Sequence, residues 1–230
     1  MKSHIEPVEM PSLAIGSQVQ LVFRTQFLTF TADQFSKALK GTGYLEMRSQ
    51  IANPQGTQAP PILMQSFSKG DVTVFLPPVQ PPNLPIIIFQ ILNTVNLESK
   101  YEEVKKILLA LNIYPEIISN ASFKCTTRRK AKTSPLVSLT SMVDTKYIEN
   151  ISKNLNTELK VASLRFVTSY PLKQEGGCQV IIEPLATSAE NEYYLEISYI
   201  TTKMNQFDEF INEFGSDMIQ RIIEETERNV

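Results

Sequence analysis

The sequence predicts an α+β fold: two pseudo-repeats of β-α-β-β-β-α, with antiparallel sheet covered by helices on one side. Three observations carry this. Strand-like alternation and helix-like periodicity follow one another in the same order twice along the 230 residues. The helices that open each half start near Thr31 and Asp144, and those that close it near Asn96 and Asn205, at similar offsets. Between them, several strands follow one another with only short turns, which favours antiparallel pairing. Residues 1–17 read as an N-terminal arm, 18–112 as the first repeat and 113–230 as the second. Halves of about 110 residues bury a core without needing disulfides or a metal.

The first repeat opens on residues 18–29, where Val19, Leu21, Phe23 and Phe27 mark one face of a strand. Thr31 with Gln34 three positions later is a capping box, so a helix starts there; Phe35, Ala38 and Leu39 form its apolar face, and Gly41 and Gly43 end it. Residues 44–52 read as a strand, and 53–61 as a loop. Strands at 62–67 and 72–76 flank a hairpin turn in which Gly70 is free to take positive φ. Pro77, Pro78, Pro81, Pro82 and Pro85 exclude a sheet interior and favour extended polyproline II. Residues 86–92 are apolar apart from Gln90, which predicts a strand buried on both faces. Leu97, Tyr101, Val104, Leu108 and Leu111 then recur at helical spacing, with a charged back; Pro115 follows the helix.

In the second repeat, residues 121–130 alternate as a strand. Asp144 caps a helix whose apolar positions are Tyr147, Ile148, Ile151 and Leu155. Residues 159–170 predict one long strand with a shift of register near its middle, and 178–182 and 193–200 two more. Asn205 is expected to cap a long helix with Phe207, Phe210, Ile211, Phe214, Met218 and Ile222 as its stripe. The halves form either one long sheet or two sandwiches joined near residues 112–119.

This order of elements resembles the TATA-binding-protein-like architecture, in which a duplicated unit forms a saddle. The strand at 86–92 running into the helix at Leu97, and the strand at 193–200 running into the helix at Asn205, carry the resemblance, which covers residues 18–228. It implies a saddle-shaped sheet. In that family paired Phe residues on the concave face wedge between base steps. No such pair is placed in this sequence, and the loop at 53–61 and the proline segment depart from the pattern.

Composition narrows the function classes. The net charge of −2 excludes a polycation built for nucleic acid as a whole, leaving only a local basic face. The single histidine, His4, lies in the N-terminal arm, so Ser–His and Cys–His catalysis and His-based metal sites are not expected. Cys125 and Cys178 read as buried free thiols. Neither G-x-x-x-x-G-K-[ST] nor G-x-G-x-x-G occurs, so no cofactor is expected. The first ten residues lack the apolar core of a signal peptide, and no apolar run is long enough for a membrane span; a cytoplasmic, membrane-free protein is expected.

Two segments are candidate sites. Lys124, Arg128, Arg129, Lys130 and Lys132 crowd one strand and its following loop, with Arg165 extending the patch if its strand pairs with this one. They read either as phosphate contacts or as a solvated strand end. Pro77, Pro78, Pro81 and Pro82 read either as a polyproline II ligand or as a stiff connection. Aromatic strand residues such as Phe23, Phe67, Phe123 and Phe166 are candidates for base stacking, but core filling is their ordinary use. Glu183 and Glu196 stand out as acids in apolar strands. The expected function is non-enzymatic binding of a protein partner, or self-association, through a sheet face, sheet edge or the proline loop. A nucleic-acid module and a carboxylate enzyme are the alternatives.

Overall fold

The computed structural model describes residues 17–51, 62–77, 85–168, 176–185, 191–214 and 216–228. The fold is α+β. Among the described residues nine strands form a single antiparallel sheet, accompanied by six α-helices.

The strands of the first half are β1 (Gln18–Thr25), β2 (Leu45–Ile51), β3 (Ile62–Lys69), β4 (Val72–Leu76) and β5 (Ile86–Ile91). Its helices are α1 (Ala32–Gly41) and α2 (Leu97–Ala110). The second half contributes β6 (Ile118–Lys130), α3 (Pro135–Ser141), α4 (Thr145–Leu155), β7 (Leu164–Val167), β8 (Gly176–Pro184), β9 (Glu192–Thr201), α5 (Met204–Glu213) and α6 (Ser216–Glu227). The strand order is β2-β3-β4-β5-β1-β6-β9-β8-β7, so the halves share one sheet through the β1–β6 pair. In each half the first strand pairs with the last, and the others follow outward in reverse order. The halves differ in content. The first has five strands and the second four, and α3–α4 and α5–α6 stand where the first half has single helices.

Local chemistry explains most of the elements. The Thr31 hydroxyl accepts from the Gln34 N–H, and the Gln34 side chain accepts from the Thr31 N–H, so the capping box forms at the start of α1. Gly70 takes φ 55 in the β3–β4 turn. Tyr101, Val104 and Leu108 of α2 are buried, as the helical spacing requires.

Four expectations are corrected. The run at 86–92 is buried on one face only; Ile86 and Ile88 of β5 are half-exposed. The predicted long strand at 159–170 starts only at Leu164, because residues 159–163 have no strand neighbour; β7 is described over Leu164–Val167, and residues 169–170 lie outside the described residues. The final helix is capped at Lys203, not Asn205, and breaks at Phe214, whose extended backbone (ψ 98) separates α5 from α6. Cys178 is half-exposed, whereas Cys125 is buried.

The helix-side face of the sheet is a continuous apolar layer. Phe67, Val74, Phe89, Leu21, Phe123 and Tyr199 stand opposite one another in turn across β3, β4, β5, β1, β6 and β9. Over the β1–β6 junction the two halves lock together. Phe207 of α5 packs edge-on to Phe23 of β1 (5.7 Å) and to Tyr101 of α2 (5.9 Å). The buried Tyr101 hydroxyl donates to Asp208 Oδ1 at 2.6 Å. A single core cluster therefore runs through both halves. Truncating Phe207 to alanine is expected to cost about 3–5 kcal/mol. Urea unfolding of that variant and of the wild type should stay a single transition by probes in either half; two separated transitions would contradict a shared core.

Candidate functional site: the open face of the sheet

Helices cover one face of the sheet, and the strand period of two sends alternate residues to the other. Along β6, Cys125 and Thr127 are buried on the helix side, while Lys124, Arg128 and Lys130 are exposed on the open side. Parity therefore brings three of the sequence-predicted cations together. It sends the fourth away: Arg129 points to the helix side, where its guanidinium donates to the Arg128 carbonyl (3.1 Å) and the Ser17 hydroxyl (3.5 Å). Lys132 lies in the following loop, and its backbone N–H donates to Glu227 Oε1 at 2.8 Å. Arg165 is on the open face, but its strand pairs with β8, so β9 and β8 separate it from β6. At the usual strand spacing that is about 14 Å. The basic segment does not form one continuous patch.

Carboxylates fill the gaps. Glu192 stands opposite Lys130, Tyr194 opposite both Arg128 and Glu183, and Glu196 opposite Ile181, which in turn faces Arg165. Of these cations Lys124 forms an ion pair, with Glu196. Glu196 is the hub. Lys124 Nζ lies 2.8 Å from its carboxylate, the Tyr194 hydroxyl donates at 3.0 Å and the Ser198 hydroxyl at 3.3 Å. Burial alone pushes the Glu196 carboxyl up, but the Lys124 and Tyr194 hydrogen bonds outweigh it and hold the group below its ordinary range. Tyr194 moves the other way. Burial first, then its bond to the Glu196 carboxylate, pushes the phenol up to about 12.

The first half of the open face has a different character. Phe75, Ile88 and Val22 stand opposite one another across β4, β5 and β1, and none is fully buried. Ile86 adjoins them, and the exposed Leu45 and Met47 lie on the edge strand β2, separated from the stripe by Ser66 and Ser68 of β3. Beside this stripe runs a polar row of Thr73, Gln90, Gln20, Lys124, Ser198 and Gln179. Sequence reasoning missed the stripe. Its signal was the apolar run at 86–91, in which both parities are apolar although one of them faces away from the helices.

The remaining candidates go elsewhere. Phe23, Phe67, Phe123 and Tyr193 are buried in the core, and Phe166 is half-exposed on the helix side. Pro77 is half-buried; Pro78, Pro81 and Pro82 lie outside the described residues, as does His4. Burial pushes the Cys125 thiol up to about 12 and raises that of Cys178, so neither is an activated nucleophile. Among the described residues no group of acids, cysteines or histidines is arranged to hold a metal ion, and no helix is long and apolar enough to cross a membrane. The open face thus carries a half-exposed apolar stripe on one half and the Glu196 cluster of Lys124, Tyr194 and Ser198 on the other. No family model, curated protein or solved structure matches the chain.

Because the folded-state pKa of Glu196 is depressed, its contribution to stability is present above the unfolded-state pKa and is lost as pH falls through the folded one. Glu196→Gln is expected to cost under about 1 kcal/mol at pH 7. The difference should close as pH drops below about 4, the ordinary glutamate range. Urea titrations of both proteins at pH 7 and pH 3.5 check this; an undiminished gap at the lower pH would contradict it.

Proposed function

We propose that this chain is a non-enzymatic binding module that engages a protein partner through the open face of its sheet. The observation that carries the reading is the half-exposed apolar stripe of Phe75, Ile88 and Val22, flanked by a polar row that contains the Lys124–Glu196 ion pair. Contiguous apolar surface with a polar border is the usual composition of a protein contact site. A nucleic-acid reading has less support, since Glu183, Glu192 and Glu196 sit among the cations and repel phosphate. Among the described residues no thiol or phenol has its pKa lowered, which favours binding over catalysis. Two free cysteines suit a reducing, cytoplasmic setting.

The test uses Val22→Lys/Ile88→Lys, which alters only half-exposed side chains on the open face. This variant is expected to keep its circular dichroism spectrum and to stay within a few degrees of the wild-type Tm. Immobilised on beads in extract of the native host, it should lose proteins that the wild type retains, whereas the helix-side control Glu209→Lys should keep them. Equal retention by both variants defeats the reading. Mixed-sequence DNA and RNA oligonucleotides at low salt should not bind. Tight, salt-dependent binding lost on Arg128→Ala would instead establish the nucleic-acid alternative.

A further inference from the structure

On the helix side, the outer strands of the two halves are covered differently. In the first half α1 closes on the sheet: Phe35 and Leu39 are fully buried, and Phe35 packs edge-on to Phe67 of β3 at 5.5 Å. In the second half the corresponding strands, β7 and β8, border an apolar groove of about 440 Å³. Its apolar walls are Met142 at the end of α3, Phe166 of β7, Val180 and Ile182 of β8, and Met218 and Ile222 of α6, and Arg221, Glu225 and Thr226 of α6 also line it. Phe166 is 49% exposed there.

The helix that stands in the place of α1 along the chain is α4, and it does not close on this groove. Its apolar residues Tyr147, Ile148, Ile151 and Leu155 form one stripe, yet Tyr147 is 64% and Leu155 61% exposed. The helix stands off from its neighbours Thr140 and Leu159 across an open cavity of about 640 Å³. The hydrogen bonds that hold the returning chain beside it are few: the Leu159 N–H donates to the Ser152 hydroxyl (3.2 Å) and the Val161 N–H to the Thr140 hydroxyl (3.0 Å). Both ends of α4 are tethered to walls of the groove. Residues 143–144 join it to Met142, and residues 156–163 join it to Leu164, two positions before Phe166. The second connection can span up to about 28 Å, more than the roughly 16 Å length of α4 itself.

We infer that α4 is a lid for this groove. It moves between the raised position seen here and a closed one, in which the Tyr147–Ile151–Leu155 stripe covers Phe166, Met218 and Ile222. Closing the half-exposed apolar stripe of the helix onto an apolar groove to which it is tied at both ends buries both surfaces. The two methionines in the groove adapt to either state. The hinges are the Val143–Asp144 connection and Asn156, which already takes a left-handed conformation (φ 50).

Disulfide trapping tests the motion. Ile151→Cys/Met218→Cys, in a Cys178→Ala background, is expected to crosslink within one chain under mild oxidation. At 100° per residue, Lys153 points to the opposite side of α4 from Ile151 and Leu155. Lys153→Cys/Met218→Cys should therefore crosslink at least tenfold more slowly. Equal rates for the two pairs, no crosslink, or a crosslink only between chains would overturn the inference. An independent readout needs no cysteine. Tyr147→Asp/Leu155→Asp changes only exposed side chains if the lid never closes, but should raise the fluorescence of the dye ANS several-fold if it does. An unchanged signal would also overturn it.

Discussion

The pairing of β1 with β6, sealed from above by Phe207, is the constraint on which the rest of the structure depends. These two strands meet at the centre of the sheet, so every other strand is stacked outward from them. A two-stranded junction alone is marginal in water. Here it is supported by helices from both halves, because α2 and α5 meet above it through Tyr101, Phe207 and Asp208. The Tyr101 phenol is held in its donating form by burial, and by the Asp208 carboxylate that receives its hydrogen bond. Neither half contains all the partners of this cluster, so neither completes its core alone.

That arrangement also decides which face is left for function. With the helices gathered on one side of a single wide sheet, the period of two commits about half of the strand residues to the other side. The chain supports that open side unevenly. Around Lys124 and Glu196 it supplies ion pairs and hydroxyls; around Ile88 and Phe75 it supplies hydrocarbon. Apolar groups held at half exposure are a standing cost unless something else covers them part of the time. The open face is chemically unequal from end to end, so a partner lying across it meets a dry end and a charged one.

What the sequence disclosed follows the range of the interactions involved. The α1 start was legible because its capping box spans Thr31 to Gln34. The α2 stripe and the Gly70 turn are equally local. The parity that puts Lys124, Arg128 and Lys130 on one face was legible for the same reason. The short helix α3 was not: Pro135–Ser141 is rich in Ser, Thr and Val and too brief to show a period. Nor was the pairing of Lys124 with Glu196, or the nearness of Glu183 on the next strand but one, which the order β6-β9-β8 brings about from more than fifty residues away. The apolar run of β5 misled because Ile86 and Ile88 look like core residues in any local window. Their exposure is set by helices that all chose the opposite face.

The contrast between α1 and α4 carries the same lesson into the dynamics of the fold. An isolated helix of 11 residues is marginal in water even with favourable residues. The Asp144 cap, which accepts from the Lys146 N–H at 2.9 Å, offsets about 1 kcal/mol of that deficit. The left-handed Asn156 closes the other end. Caps of this size define where a helix starts and stops, but they do not hold it against its conformational entropy. For α1 the remaining stabilisation comes from Phe35 and Leu39 in the core. For α4 the apolar surface tethered to both of its ends is the groove of Phe166, Met218 and Ile222. The order of α4 and the covering of that groove are therefore one equilibrium, and whatever occupies the groove from outside competes with the helix for its own stability.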